Sequence, residues 1–210
     1  MLKLALALMS LFFKKQPQFN DTDLASIVVA CKEQNPHAQR ALFKLFFSYG
    51  KSICLRYSAS QEEAEEVIND GFLKVFNNIH KYDPQQPFKA WLRTILVNTC
   101  IDYYRRRDKY TYQLDIERVE SPVFEENVLD KIAADEILVM VQKLPTSYRT
   151  VFMLYVVDGY SHREIADLLH INEGTSRSNF LKARGKLQEM IRINYPHLYT
   201  VSLTKKINEN

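Results

Sequence analysis

Glycine is scarce, with five in 210 residues. Few glycines, together with long stretches in which apolar residues recur at helical rather than alternating spacing, argue for an all-α protein. Cysteine is scarcer still: Cys31, Cys54 and Cys100 are odd in number and show no CxxC spacing. A disulfide framework and a zinc site are both disfavoured, and reduced thiols packed inside a cytoplasmic protein are expected. The five histidines are scattered, and "HRE" at 162–164 lacks the second histidine of a zinc-protease helix, so no metal site is expected. No nucleophile–base pair and no phosphate loop is visible. The expectation is therefore no catalytic residue, no cofactor and no enzyme.

No apolar run is long enough to span a bilayer. The leader, "MLKLALALMSLFFKK", comes nearest. It lacks the small-residue cleavage site of a signal peptide, and Lys14 and Lys15 lie on the wrong side of the run. It reads as a disordered or loosely docked segment, with Met9 as an alternative start. A peripheral membrane contact is the sharper alternative. Charge of neither sign dominates: the formal net charge is +3, and its distribution says more. Lys89–Lys109 and Arg177–Lys186 are basic, whereas Asp115–Glu136 is acidic, a pattern that suits polyanion binding at two places.

Helical periodicity begins near Asn20 and continues through "HAQRALFKLFFSYGKSICLRYS", "QEEAEEVINDGFLKVFNNIHKY" and "PFKAWLRTILVNTCIDYYRRR". It fails from Asp108 to about Asp130, where charges, Ser121 and Pro122 suggest a linker. It resumes at "LDKIAADEILVMVQKL" and "PTSYRTVFMLYVVDG", where Asp158-Gly159 is a helix stop. The predicted organisation is a leader (1–19), an N-terminal domain (20–107), a flexible linker (108–130), a C-terminal domain (131–190) and a frayed tail (191–210). The fold class is thus all-α, two small helical domains on a tether.

The stretch "YSHREIADLLHINEGTSRSNFLKARGKL" predicts two short helices around a three-residue turn. Ser161 and Glu164 form a capping box, and Asn172 caps the second helix. On a helical wheel Ser176, Phe180, Ala183 and Leu187 share the inward face. Ser178, Leu181, Lys182 and Gly185 lie opposite, flanked by Arg177, Arg184 and Lys186. A helix with a packed back and a basic front suits the second helix of a helix-turn-helix, entering the major groove. An antiparallel hairpin with a solvated basic face is the blander alternative. Ser176 is polar at an inward position, and Gly185 costs about 1 kcal/mol inside a helix.

In the N-terminal domain, "EEAEEVINDGFLKVFNNI" buries one broad apolar stripe. Its reverse face holds Glu66, Asn69, Asp70 and Asn77, with Leu73 exposed among them. Such a face can dock a helical partner, although single exposed leucines are common. The helix after it is apolar nearly all round except for a strip of Thr94, Asn98 and Arg105, with Ile101 beside them. Asn98 can pair two-point with a base edge, Arg105 can hold phosphate, and flanking aromatics suit single-stranded nucleic acid. Each aromatic taken alone is more safely read as core, Trp91 and Phe88 above all.

Four motifs, "AEEVINDGFLKVF", "FKAWLRTILVNTCIDYYRR", "LPTSYRTVFMLYVVDGYSHREIADLL" and "NEGTSRSNFLKARGKL", occur in the order and spacing of one family. Over roughly residues 20–190 the chain resembles bacterial sigma factors of the extracytoplasmic-function (ECF) group. The resemblance implies a sigma factor that brings core RNA polymerase to promoter DNA. Glu66, Asn69, Asp70 and Leu73 would contact the polymerase. Thr94, Asn98 and Arg105, with Tyr82, Asp83 and Gln85 of the preceding loop, would hold the melted −10 element. Thr175, Arg177, Ser178, Leu181 and Lys182 would read the −35 duplex, with backbone amides of Glu173–Thr175 on phosphate. Ser176 and Asn179 depart from the aliphatic and basic residues usual in the family. An anti-sigma partner is usual in this group. An ordinary helix-turn-helix regulator of duplex DNA is the competing reading.

Overall fold

The computed structural model describes residues 19–108 and 134–196. Residues 1–18 of the predicted leader, nearly all of the predicted linker and residues 197–210 of the predicted tail lie outside them. Among the described residues all regular structure is helical. In chain order these helices are α1 (Leu24–Lys32), α2 (Pro36–Tyr57), α3 (Gln61–Asn78), a 3-10 turn (Ile79–Lys81), α4 (Phe88–Asp108), α5 (Ala134–Gln142), α6 (Thr146–Val156), α7 (His162–Leu169) and α8 (Glu173–Asn194). None is long and apolar enough to cross a membrane.

Local chemistry sets the helix starts. The Asp23 carboxylate accepts from the Ala25 and Ser26 amides at the head of α1. Asn35 accepts from His37 and Ala38 while Pro36 opens α2, a position where its missing N–H costs nothing. Ser60 caps α3, and its third residue Glu63 returns a carboxylate to the Ala59 amide. Ser161 and Glu164 complete the expected capping box on α7, and Asn172 caps α8. After Asp158, Gly159 takes a left-handed φ of 77°, which ends the α6 segment as expected.

In the N-terminal domain α2, α3 and α4 pack around Leu42, Ile68, Phe72, Leu92 and Leu96, all essentially fully buried. Each such side chain contributes about 1.5–3 kcal/mol by leaving water. Gly71 lets α3 approach α4 closely, because a Cβ there would stand 2.5 Å from Leu96 Cδ2. In the C-terminal domain α6, α7 and α8 enclose Val151, Leu154, Ile165, Leu169, Ala183 and Leu187. The domains also pack on each other, α2 against α5 and α6, and α4 against α6 and α7.

All three cysteines are free and buried. Burial pushes the Cys31 thiol up to about 11. Cys100 is raised well above its ordinary value, first by a hydrogen bond with Cys54 and then by burial. The Cys31 and Cys100 thiols stay protonated at neutral pH, as packed rather than reactive groups do. Two boundaries differ from expectation. Helix α4 continues to Asp108, and α8 runs to Asn194 with Ile191 buried, so ordered chain extends past the expected start of the tail. The reason is tertiary: Ile191 joins the same core as Leu187.

Candidate nucleic-acid interface

Helices α7 and α8 form the expected helix-turn-helix. His170 takes a left-handed φ of 57° after α7, which turns the chain sharply into the Asn172 cap. The inward face of α8 is as expected: Ser176, Ala183 and Leu187 are buried and Phe180 is half-buried. The inward serine has a partner, since its Oγ lies 3.0 Å from His162 Nδ1. His162 in turn stacks on Tyr155 at 4.5 Å and meets Phe180 edge-on. Burial and the nearby Arg177 lower the His162 pKa, with Glu173 opposing.

Outward from that packed back stand Arg177, Ser178 and Leu181, all exposed. Arg177 pairs with Glu173 one turn earlier, which offsets part of its charge. Three placements depart from the sequence reading. Gly185 is buried rather than outward. Lys182 is half-buried, with its ammonium 5.6 Å from the Tyr148 ring centre. Thr175 already spends both its amide and its hydroxyl on Asn172 Oδ1, at 2.6 and 2.9 Å. The Thr175 amide is thus already taken up by the cap of its own helix.

On α4, Thr94 and Asn98 are exposed, one turn apart on the strip expected from the wheel. The Asn98 amide is outward while Val97, Thr99, Cys100 and Ile101 around it are buried. Arg105 is placed differently: it is half-buried, pairs with Asp102, and donates through its guanidinium to the Leu168 carbonyl of α7. Its buried Nε has no partner. Before α4, Asp83 and Gln85 are exposed on a tight turn, in which the Gln85 amide donates to Asp83 Oδ1 at 2.9 Å. Tyr82 does not present its ring to solvent. It is buried against Phe88 and Trp91, and its hydroxyl donates to the Gln86 carbonyl. Its observed part is to brace the loop.

On α3, Leu73 is 61% exposed, with Glu66 and Asn69 also exposed and Asp70 half-exposed. The acidic members of this face are tied to α4: Glu66 accepts from the Tyr103 hydroxyl and Asp70 pairs with Arg106. Leucine thus projects from a face whose carboxylates are fixed in place.

Sequence reasoning missed the polar joint between the domains. Arg149 is 1% exposed, yet it donates from Nε to the Tyr57 carbonyl at 3.1 Å and from one terminal nitrogen to the Gln142 and Leu144 carbonyls. Asp158 receives bonds from the Tyr57 hydroxyl and from Arg93. The one available signal was an arginine inside an otherwise apolar stretch, which implies buried acceptors without saying whose.

The architecture is that of a two-domain helical protein whose C-terminal half is a helix-turn-helix. Two family models match, Sigma-70 region 2 over residues 48–110 and Sigma-70 region 4 over residues 134–187. The chain belongs to the sigma-70 family, in its ECF group. It is similar to the ECF RNA polymerase sigma factor SigW of Bacillus subtilis (strain 168), with 29% identity over 153 residues, 67% of this chain and 81% of that one. It is also similar to the ECF RNA polymerase sigma-E factor of Escherichia coli (strain K12), with 27% identity over 157 residues, 67% of this chain and 82% of that one. Among solved structures, it is similar to the sigma factor RpoE crystallised with the anti-sigma factor NepR from Bartonella quintana. That match has a TM-score of 0.43 and 21% identity, and covers 73% of this chain and 96% of the other.

Proposed function

We propose that this chain is a sigma factor that directs core RNA polymerase to specific promoters, reading the −35 element as duplex and holding the −10 element as opened strand. The observation that carries this reading is the occurrence of region 2 and region 4 of one family, in order, on a single helical chain. Arg177, Ser178 and Leu181 face the major groove in this reading, and Lys182 joins them by swinging off Tyr148. The amides of Glu173 and Gly174 sit on phosphate at the start of α8. Asn98 pairs with a −10 base, Thr94 flanks it, and Asp83 and Gln85 on the preceding turn border an unpaired base. Unstacking a base costs a few kcal/mol, so a pocket that repays this only for the right base makes melting sequence-dependent. Arg105 supplies phosphate contact once it leaves the Leu168 carbonyl.

Leu73, with Glu66, Asn69 and Asp70 around it, is the contact for the polymerase. The carboxylates are already fixed by Tyr103 and Arg106, so little side-chain freedom is lost on docking. The N-terminal domain runs from about 20 to the end of α4 and the C-terminal domain from about 131 to the end of α8, the protein works in the cytoplasm, and an anti-sigma protein restrains it by covering the DNA-facing surfaces. None of these roles calls for catalysis by the chain itself.

Run-off transcription with purified core polymerase across genomic promoters tests the reading. Specific transcripts that require the protein are the expected result. Duplex binding without initiation would instead identify a helix-turn-helix regulator.

A further inference from the structure

The loop between the 3-10 turn and α4, residues 82–87, is closed on itself. The Tyr82 hydroxyl donates to the Gln86 carbonyl at 2.7 Å. The Gln86 amide donates to the Asp83 carbonyl at 3.0 Å, and the Gln85 amide to Asp83 Oδ1 at 2.9 Å. Both ends are anchored as well. The Tyr82 ring is buried against Phe88 and Trp91, and the Pro87 carbonyl accepts from the Ala90 and Trp91 amides at the head of α4. Lys32, the last residue of α1, reaches the Tyr82 carbonyl at 3.5 Å. Pro84 and Pro87 each fix a backbone angle. The fold itself thus sets the shape of the loop.

What this loop offers outward is selective. Asp83, Gln85 and Gln86 are exposed. Each glutamine amide carries a donor and an acceptor, so it can turn to suit either partner, whereas a carboxylate only accepts. Asp83 Oδ1 is taken by the Gln85 amide, and Oδ2 makes no bond among the described residues. We propose that loop 82–87 is a preformed specificity element in which Asp83 Oδ2 accepts from an exocyclic amine of the unpaired base and so refuses thymine, with Tyr82 and Lys32 as positioning residues. The inference rests on the sigma-factor reading above and adds the chemistry of the base. Thymine shows a carbonyl oxygen where cytosine and adenine carry an amine, and that oxygen would set two acceptors face to face. A bond from an amine to a carboxylate is charge-assisted, hence stronger than a neutral one. Because Tyr82 and Lys32 order the loop within the fold, binding a base need not order it again.

The Gln85 amide also fixes how a substitute at position 83 must sit. In Asp83→Asn the side chain still has to give that amide an oxygen. Nδ2 then takes the place of Oδ2, and an acceptor becomes a donor. The variant should therefore accept a carbonyl and refuse an amine.

The test uses the full chain bound to core polymerase, with the non-template −10 strand of a promoter found by run-off transcription. Abasic substitution along the strand, read in Asn98→Ala so that the base held by Asn98 no longer counts, locates the base held by the loop. Deoxycytidine and deoxyuridine are then compared at that position, since they match in size and differ in carrying an amine or a carbonyl at the same ring carbon. Wild type should favour deoxycytidine by roughly tenfold, and Asp83→Asn should favour deoxyuridine. Tyr82→Phe keeps the ring cluster and loses only the bond to Gln86. It should bind the deoxycytidine strand about fivefold more weakly than wild type, and the abasic strand equally well. A wild-type preference for deoxyuridine, or an unchanged preference in Asp83→Asn, overturns Asp83 as the reader. Equal losses on intact and abasic strands in Tyr82→Phe overturn its positioning role. If no position responds to base removal while the polymerase complex still binds the strand, the loop is no base site and the assignment falls. If the chain forms no complex with core polymerase, the sigma-factor reading falls and takes the assignment with it.

Discussion

His162 Nδ1 and Ser176 Oγ lie 3.0 Å apart, and this contact joins the two helices of the helix-turn-helix. It explains why a serine can occupy an otherwise apolar face. Ser176 is fully buried, so Ser176→Ala removes the hydroxyl without adding bulk and strands His162. A loss of about 1–2 kcal/mol is expected, read as a lower urea midpoint for the C-terminal domain. Recognition of −35 duplex should weaken more than binding to −10 single strand, because only the former depends on how α8 is held.

The same histidine gives a pH dependence. Burial, then Arg177, lower its pKa below the ordinary 6.5. The unfolded chain then binds a proton more readily than the folded one, so stability falls as pH drops through 6.5. Urea unfolding at pH 7 and pH 5.5 should differ more for wild type than for His162→Gln. An unchanged difference would place the titration elsewhere.

Asp158 responds in the opposite sense. Burial raises its pKa from 3.8 to about 6, and Arg56 offsets only part of that. Arg93 and the Tyr57 hydroxyl face the same carboxylate. A raised carboxyl pKa adds stability fully below pH 3.8 and loses that contribution as pH rises through about 6. Asp158 should therefore favour the folded chain more at pH 5 than at pH 7. Asp158→Asn, which cannot titrate, should remove that part of the pH dependence, read as the difference between urea midpoints at the two pH values.

Asn98→Ala should change or erase −10 base preference in run-off transcription without altering affinity for core polymerase. The residue is exposed, so thermal stability should stay within about 0.5 kcal/mol of wild type. Unchanged promoter choice would remove Asn98 from base reading. Leu73→Ala is the mirror experiment. Burying a leucine side chain is worth about 1.5–3 kcal/mol, so polymerase affinity should fall by roughly 10- to 100-fold while −10 oligonucleotide binding is untouched.

Gly71→Ala tests the core. A Cβ would stand 2.5 Å from Leu96 Cδ2, and Leu96 is itself fully buried with little room to yield. Overpacking of this kind costs about 1–3 kcal/mol, against up to about 1 kcal/mol gained in helix propensity. A net lowering of the melting temperature is expected, measured by circular dichroism.

Helix positions, their caps and most of their inward faces were legible in the residue order. Periodicity is a property of neighbours three and four apart, and capping of neighbours two and three apart. The same locality made Leu73 and Asn98 visible as exposed positions, and marked Ser176 as an inward polar group needing a partner. Tertiary contact alone decided the rest. Tyr82 turned inward because Phe88 and Trp91 offered it a ring cluster. Lys182 lay over Tyr148 from another helix, and Arg105 was drawn to a carbonyl 63 residues away. Arg149 found the end of a helix 92 residues earlier in the chain. A long cationic or aromatic side chain can satisfy itself in several directions, and its own helix says only which side it leaves. Which neighbour it meets depends on how two separately folded domains come together.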